Sequence, residues 1–114
     1  MSEVTMPRRR DELEDCLDVW ERAIHEWQRA AENAAQEEAT FKAWEAATKA
    51  AHIGMKKSAV LSEALVRGDP KWSERYLSHQ RASVQAETKK RILRLAEAKW
   101  ETERSRQVSL RQVR

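Results

Sequence analysis

Leu65-Val66-Arg67-Gly68-Asp69-Pro70-Lys71-Trp72 is the stretch on which the fold turns. Gly68 closes a preceding helix, the Asp69 carboxylate can cap the next one, and Pro70 suits a first helical turn, where its missing N–H would have no partner anyway. Downstream, Lys71 to Arg114 contains no Gly or Pro across 44 residues, enough for a helix of about 65 Å at about 1.5 Å per residue. Upstream, residues 56–67 read as a shorter helix, with Val60, Leu61, Leu65 and Val66 as its apolar side and Glu63 paired to Arg67. Before that piece stands Gly54, which costs about 1 kcal/mol relative to alanine inside a helix and so marks a kink or an end.

The first arm then covers residues 11–53. Asp11 and Glu14 have capping-box spacing, and Glu12, Asp15 and Asp18 add negative charge at the positive end of the helix dipole. Leu13, Leu17, Trp20, Ile24, Trp27, Ala31 and Ala34 follow steps of four and three, a heptad seam. The pattern then slips by one position and continues through Glu37, Phe41, Trp44, Thr48, Ala51 and Met55, with Glu37 a misfit. Asp18 with Arg22, Glu38 with Lys42 and Glu45 with Lys49 are i, i+4 pairs in the favourable order. In the second arm, residues 70–114, the apolar positions form two partial stripes. Trp72, Tyr76, Leu77, Val84, Ile92 and Leu95 make one, and Leu93, Ala96, Trp100, Gln107 and Leu110 the other, which predicts contact with more than one neighbour.

These arms define an all-α chain: a long antiparallel helical hairpin with a short intervening helix, coiled-coil-like and oligomeric. Residues 1–10, with Arg8, Arg9 and Arg10 after Pro7, read as a flexible basic arm ahead of one helical domain over 11–114. Composition agrees, since Ala, Glu, Arg, Lys and Leu supply 62 of 114 residues, the signature of long helices. Leu, Ile, Val and Phe number only 19, too few for a deep monomeric core, which predicts burial of helix seams against other copies. Leu13, Leu17, Trp20, Ile24, Trp27, Phe41 and Trp44 are the residues expected at that oligomer interface.

Several function classes fall away. Two glycines leave no room for a P-loop or a dinucleotide fingerprint. His25, His52 and His79 lack partners at metal-ligand spacing, so no metal is expected, and no cofactor. Cys16 is alone, beside a seam position, and reads as a small packed residue; with no disulfide framework the expected location is the cytoplasm. No segment has the uncharged length of a membrane span and no signal peptide is evident, so a soluble protein is expected. Without a framed nucleophile or base, an enzyme is not expected.

Charge is divided instead. Residues 11–45 hold eleven acids against Arg22, Arg29 and Lys42, and residues 67–114 hold thirteen bases against six acids. Either the acidic arm lies on the basic arm, or the basic arm meets a polyanion while the acidic arm faces away. Lys89, Lys90, Arg91 and Arg94 form one basic cluster, and Arg104, Arg106 and Arg111 continue beyond Trp100. An indole beside guanidinium groups suits single-stranded DNA, because bases stack on aromatic rings while arginines neutralise phosphates. The alternative packs Trp100 with Leu93 and Ala96 and leaves the arginines solvated.

The run Glu103-Arg104-Ser105-Arg106-Gln107-Val108-Ser109-Leu110-Arg111, preceded by Lys89-Lys90-Arg91-Ile92-Leu93, resembles small helical phage proteins, nearest to recombination mediators of the UvsY type. The resemblance runs over roughly residues 40–114. It implies an all-helical, self-associating protein of the host cytoplasm that binds single-stranded DNA and assists a recombinase or single-strand-binding protein in recombination or repair. By it, Lys89, Lys90, Arg91, Arg104, Arg106 and Arg111 correspond to the strand-contacting arm. The competing expectation is a protein-binding module, such as a phage inhibitor of a host system or an assembly factor, acting through the acidic first arm.

Overall fold

The computed structural model describes residues 12–113. The basic arm over residues 1–10, the Asp11 cap and Arg114 lie outside the described residues. Three helices follow in order: α1 (Glu12–Gly54), α2 (Ala59–Gly68) and α3 (Pro70–Val113), with no strand among the described residues. The all-α class and the hairpin arrangement are therefore present. Chain packing divides into two compact units. The first joins α1 through Trp27 to α3 from Lys89 onward; the second spans Gln28–Thr88 and contains α2.

The punctuation works as its chemistry dictates. The Asp69 carboxylate accepts from the Lys71 backbone N–H at 2.8 Å, and Pro70 opens α3. Ser58 caps α2, its hydroxyl accepting from the Leu61 N–H at 3.1 Å, so that helix begins three residues later than periodicity predicts. α1 ends at Gly54, but the left-handed residue that turns the chain is Lys56, at φ 66°. Lys57 N–H reaches the His52 carbonyl at 3.3 Å and Lys56 N–H the Ile53 carbonyl at 2.9 Å, the two bonds of a Schellman motif with lysine where glycine is usual.

Burial along α1 follows one unbroken heptad: Leu13, Cys16, Trp20, Ala23, Trp27, Ala30, Ala34, Glu37, Phe41, Trp44 and Thr48 are all buried or half-buried. The slip expected at Ala34 is absent. It arose from favouring the larger neighbours Leu17 and Ile24, whereas Leu17 is exposed and the small Ala23 is among the most buried side chains. α3 likewise has one seam rather than two stripes: Trp72, Arg75, His79, Ala82, Ala86, Lys89, Leu93, Ala96, Trp100, Glu103 and Gln107. Leu77, Val84, Ile92 and Leu95 face outward, while Tyr76 keeps its ring against Phe41 and Trp72. Alanines and polar side chains with long aliphatic stems fill the seam, and their polar ends reach partners at its edges.

In the second unit, Glu37 accepts from the Ser78 hydroxyl, and Glu45 accepts from the Trp72 indole N–H at 2.9 Å. Rising numbers on α1 meet falling numbers on α3, so the helices run antiparallel. Phe41, buried, is the centre: its ring lies 5.9 Å from Trp72, 5.9 Å from Tyr76 and 5.7 Å from His79. Trp72 and Tyr76 stack at 4.8 Å, and Arg75 lies over the Trp44 ring at 5.6 Å. α2 packs inward through Ser62 and Val66, and Glu63 takes Lys49 of α1 at 3.2 Å rather than Arg67. Ser62 Oγ and His79 Nδ1 are buried with no hydrogen-bond partner among the described residues.

Candidate nucleic-acid interface

The first unit carries the basic clusters. Its α1 and α3 segments are antiparallel too, with Arg106 on Glu12, Trp20 on Trp100, and Lys89 on Glu26 at 3.1 Å. A heptad seam turned toward the partner helix sends the remaining positions outward, away from it. On α1 those positions hold Glu14, Asp15 and Glu21, with Asp18 half-buried; on α3 they hold Arg91, Arg94, Arg104 and Arg111, with Lys90 half-buried. Over residues 12–27 there are six acids and one Arg, and over residues 89–112 eight bases and three acids. Two ion pairs among the described residues, Glu26–Lys89 and Glu12–Arg106, join these segments.

The eight residues expected to contact a strand are not equivalent. Lys89 is a seam residue with its ammonium on Glu26. Arg106 is held by Glu12 and by Glu103 at 2.9 Å, and this hydrogen bond from Arg106, helped by one from Gln107, keeps the Glu103 carboxyl below its usual range. Trp100 is half-buried, its ring 5.0 Å from Trp20 and tilted by 32°, with the Arg104 guanidinium 5.7 Å from its centroid. Its stacking capacity is engaged within the chain. Lys90, Arg91, Arg94 and Arg111 make no ion pair among the described residues, and Arg104 keeps an exposed charge. At 1.5 Å per residue, the Lys90–Arg94 cluster stands about 15 Å along α3 from Arg104, with Glu97 and Glu101 between.

Residues expected at an interface between copies are also placed. Trp20 lies on Trp100 and Phe41 in the aromatic cluster, both within the chain, and Trp44 lies under Arg75. Leu13, Ile24 and Trp27 are half-buried on α1, and Leu17 is exposed. The sequence reading passed over Lys99, an exposed base at the seam's edge, which lines a hollow of about 130 Å³ with Asp15, Cys16, Val19 and Ala96. Heptad phase, counted from Trp100, would have found it. Among the described residues no group of three or more His, Cys, Asp or Glu is placed to hold a metal ion, and no helix is long and apolar enough to cross a membrane. Comparison with known proteins returns no match to a family model, a curated protein or a solved structure.

Proposed function

We propose that this chain is a non-enzymatic single-stranded DNA-binding protein of the phage recombination-mediator kind, holding its strand along the outer face of α3. The observation that carries the reading is the row of bases on α3: Arg91, Arg94, Arg104 and Arg111 are exposed, and none of them makes an ion pair among the described residues. A strand along α3 would meet Lys90, Arg91, Arg94, Arg104 and Arg111, with Lys89 and Arg106 holding the helix pair together instead. Binding is then electrostatic and indifferent to sequence, and Trp100 contributes to the scaffold rather than to base stacking. Self-association, and a recombinase or single-strand-binding protein as partner, belong to the same reading through the UvsY-type resemblance. The second reading is a protein interface on the acidic face of α1, favoured by the exposure of Glu14, Asp15 and Glu21.

Titration of single-stranded DNA across a salt series, beside a mass measurement in solution, tests the proposal. Five phosphate contacts give a logarithmic salt slope near −3.5, at about −0.7 each, and neutralising the five bases flattens it. No binding at low salt, or binding that survives the neutralisation, overturns the reading in favour of the acidic face.

A further inference from the structure

Which way α2 faces is unexpected for its composition. This ten-residue helix buries Ser62, fully, and Val66 one turn later, while Val60 is 79% exposed, Leu61 48% and Leu65 37%. At about 100° per residue, Val60, Ala64, Gly68, Leu61 and Leu65 occupy one continuous outer arc with no charged residue inside it, and Arg67 stands at its edge. Met55, in the turn leading to α2, is 68% exposed. Single exposed apolar residues are ordinary on a protein surface, but an uninterrupted arc on one short helix is the pattern of a contact face. It is more telling in a chain with only 19 Leu, Ile, Val and Phe residues.

Charge around the arc selects the partner. From residue 53 to residue 71 the acids are Glu63 and Asp69, and both are engaged: Glu63 by Lys49, Asp69 by the Lys71 backbone N–H. Lys56, Arg67 and Lys71 are exposed and make no ion pair among the described residues. Between α1 and α2 lies a groove of about 340 Å³ lined by Lys42, Lys49 and Arg67, together with Glu45 and Glu63. Glu45 is turned to the Trp72 indole, so the unengaged charge at this groove is the Arg67 guanidinium.

We propose that the outer face of α2 and its basic border form a docking surface for an acidic peptide segment of a partner protein, one in which Asp or Glu alternates with large apolar side chains. The apolar anchors cover Val60, Leu61 and Leu65, and the carboxylates meet Arg67 at the edge of the arc and Lys56 in the turn before α2. A second copy meeting this face symmetrically would set those cations against themselves. The surface is carried by other residues than the strand-binding row and stands independently of it.

The test selects binders for the full-length chain from a random-sequence peptide library. Enriched peptides are expected to be acidic and apolar, to lose at least about tenfold in affinity for Leu61→Ser/Leu65→Ser, and to lose a similar factor for Arg67→Glu. Val60→Ser, at the most exposed position of the arc, gives a smaller loss in the same direction without disturbing the packing of α2. Affinity for single-stranded DNA should be the same in all three variants. Enriched peptides without acidic residues, binding untouched by Val60→Ser and Leu61→Ser/Leu65→Ser, or no enrichment at all overturn the proposal. So does a dimer in sedimentation, or flotation with phosphatidylglycerol vesicles, that the wild-type chain shows alone and the α2 variants lose.

Discussion

The two units share one heptad geometry and fill it differently. In the second unit the α1–α3 seam is aromatic, with Phe41 contacting three rings and Trp72 bonded to Glu45, and its charge is balanced at nine bases to eight acids. In the first unit a single aromatic pair, Trp20 with Trp100, lies between Glu12–Arg106 and Glu26–Lys89, and the charges that remain are sorted by helix. Rings bury area and are indifferent to salt. Exposed ion pairs contribute little and weaken as salt rises. One seam geometry thus yields a unit joined by packed rings and a unit whose single ring pair is flanked by ion pairs, with exposed bases along α3.

The contrast is tested most strongly at the two aromatic centres. Phe41→Ala should cost about 3–5 kcal/mol, the range for emptying a buried phenylalanine site, whereas Trp20→Ala at a half-buried site should cost about 2 kcal/mol. Denaturant unfolding, with hydrogen exchange to assign the loss to a unit, measures both. Equal costs would mean that the first unit is packed as tightly as the second and that the distinction fails. Next in size is DNA affinity. Replacing Arg91, Arg94, Arg104 and Arg111 by Gln should reduce the salt slope by about 2.8, while replacing Lys71 and Arg81 in the second unit should leave it unchanged. An equal reduction from both sets would show that charge is read over the whole chain and not from one unit.

What the sequence made legible was local. Gly68-Asp69-Pro70 announces its turn because capping and proline chemistry act over three or four residues, and the helix-rich composition fixes the class. The seams are less legible because side-chain size does not track burial here. Ala23 lies inside where Ile24 appeared to belong, and in α3 Arg75, His79, Lys89, Glu103 and Gln107 hold seam positions that no apolar pattern can reveal. Pairing across helices was out of reach for a related reason. Lys49 has Glu45 one turn before it, yet bonds Glu63, because Glu45 is taken by the Trp72 indole, and that choice depends on register. The candidate strand contacts were legible as bases but not as free bases, since Lys89 is held by Glu26 of α1, and Arg106 by Glu12 of α1 as well as Glu103 of its own helix.

A smaller effect concerns the turn in the second unit. Gly54 ends α1 without a left-handed backbone, and a Cβ there meets nothing within 4 Å, so Gly54→Ala should stabilise by about 0.5–1 kcal/mol. Lys56 carries the positive φ, so Lys56→Gly should relieve about 1 kcal/mol. Thermal unfolding with exchange readout should assign both gains to the second unit. A loss from Gly54→Ala would mean that this position needs freedom not visible in its backbone.

Acid separates the units by the least amount, but with a definite sign. Glu103 is a seam residue, its side chain 14% exposed, and its carboxyl lies below the ordinary value of 4.5, first through the hydrogen bond from Arg106 and then through that from Gln107. A carboxyl depressed in the folded state favours folding above its unfolded value, and that contribution is lost as pH falls through the lower folded value. Arg106 also bonds Glu12, so protonating Glu103 loosens a residue that ties α3 to α1 in the first unit. Glu38, depressed chiefly by Lys42, behaves with the same sign in the second unit, but that ion pair is i, i+4 within one helix. Acidification below about pH 4.5 should therefore raise exchange in the first unit before the second. Glu103→Gln should remove part of that early loss, giving a shallower acid limb than the wild-type chain, whereas Glu38→Gln should leave the first unit's limb as it was. Identical acid limbs for the wild-type and Glu103→Gln chains would show that Arg106 is held by Glu12 alone, and the Glu103 contact would then have no part in joining the helices.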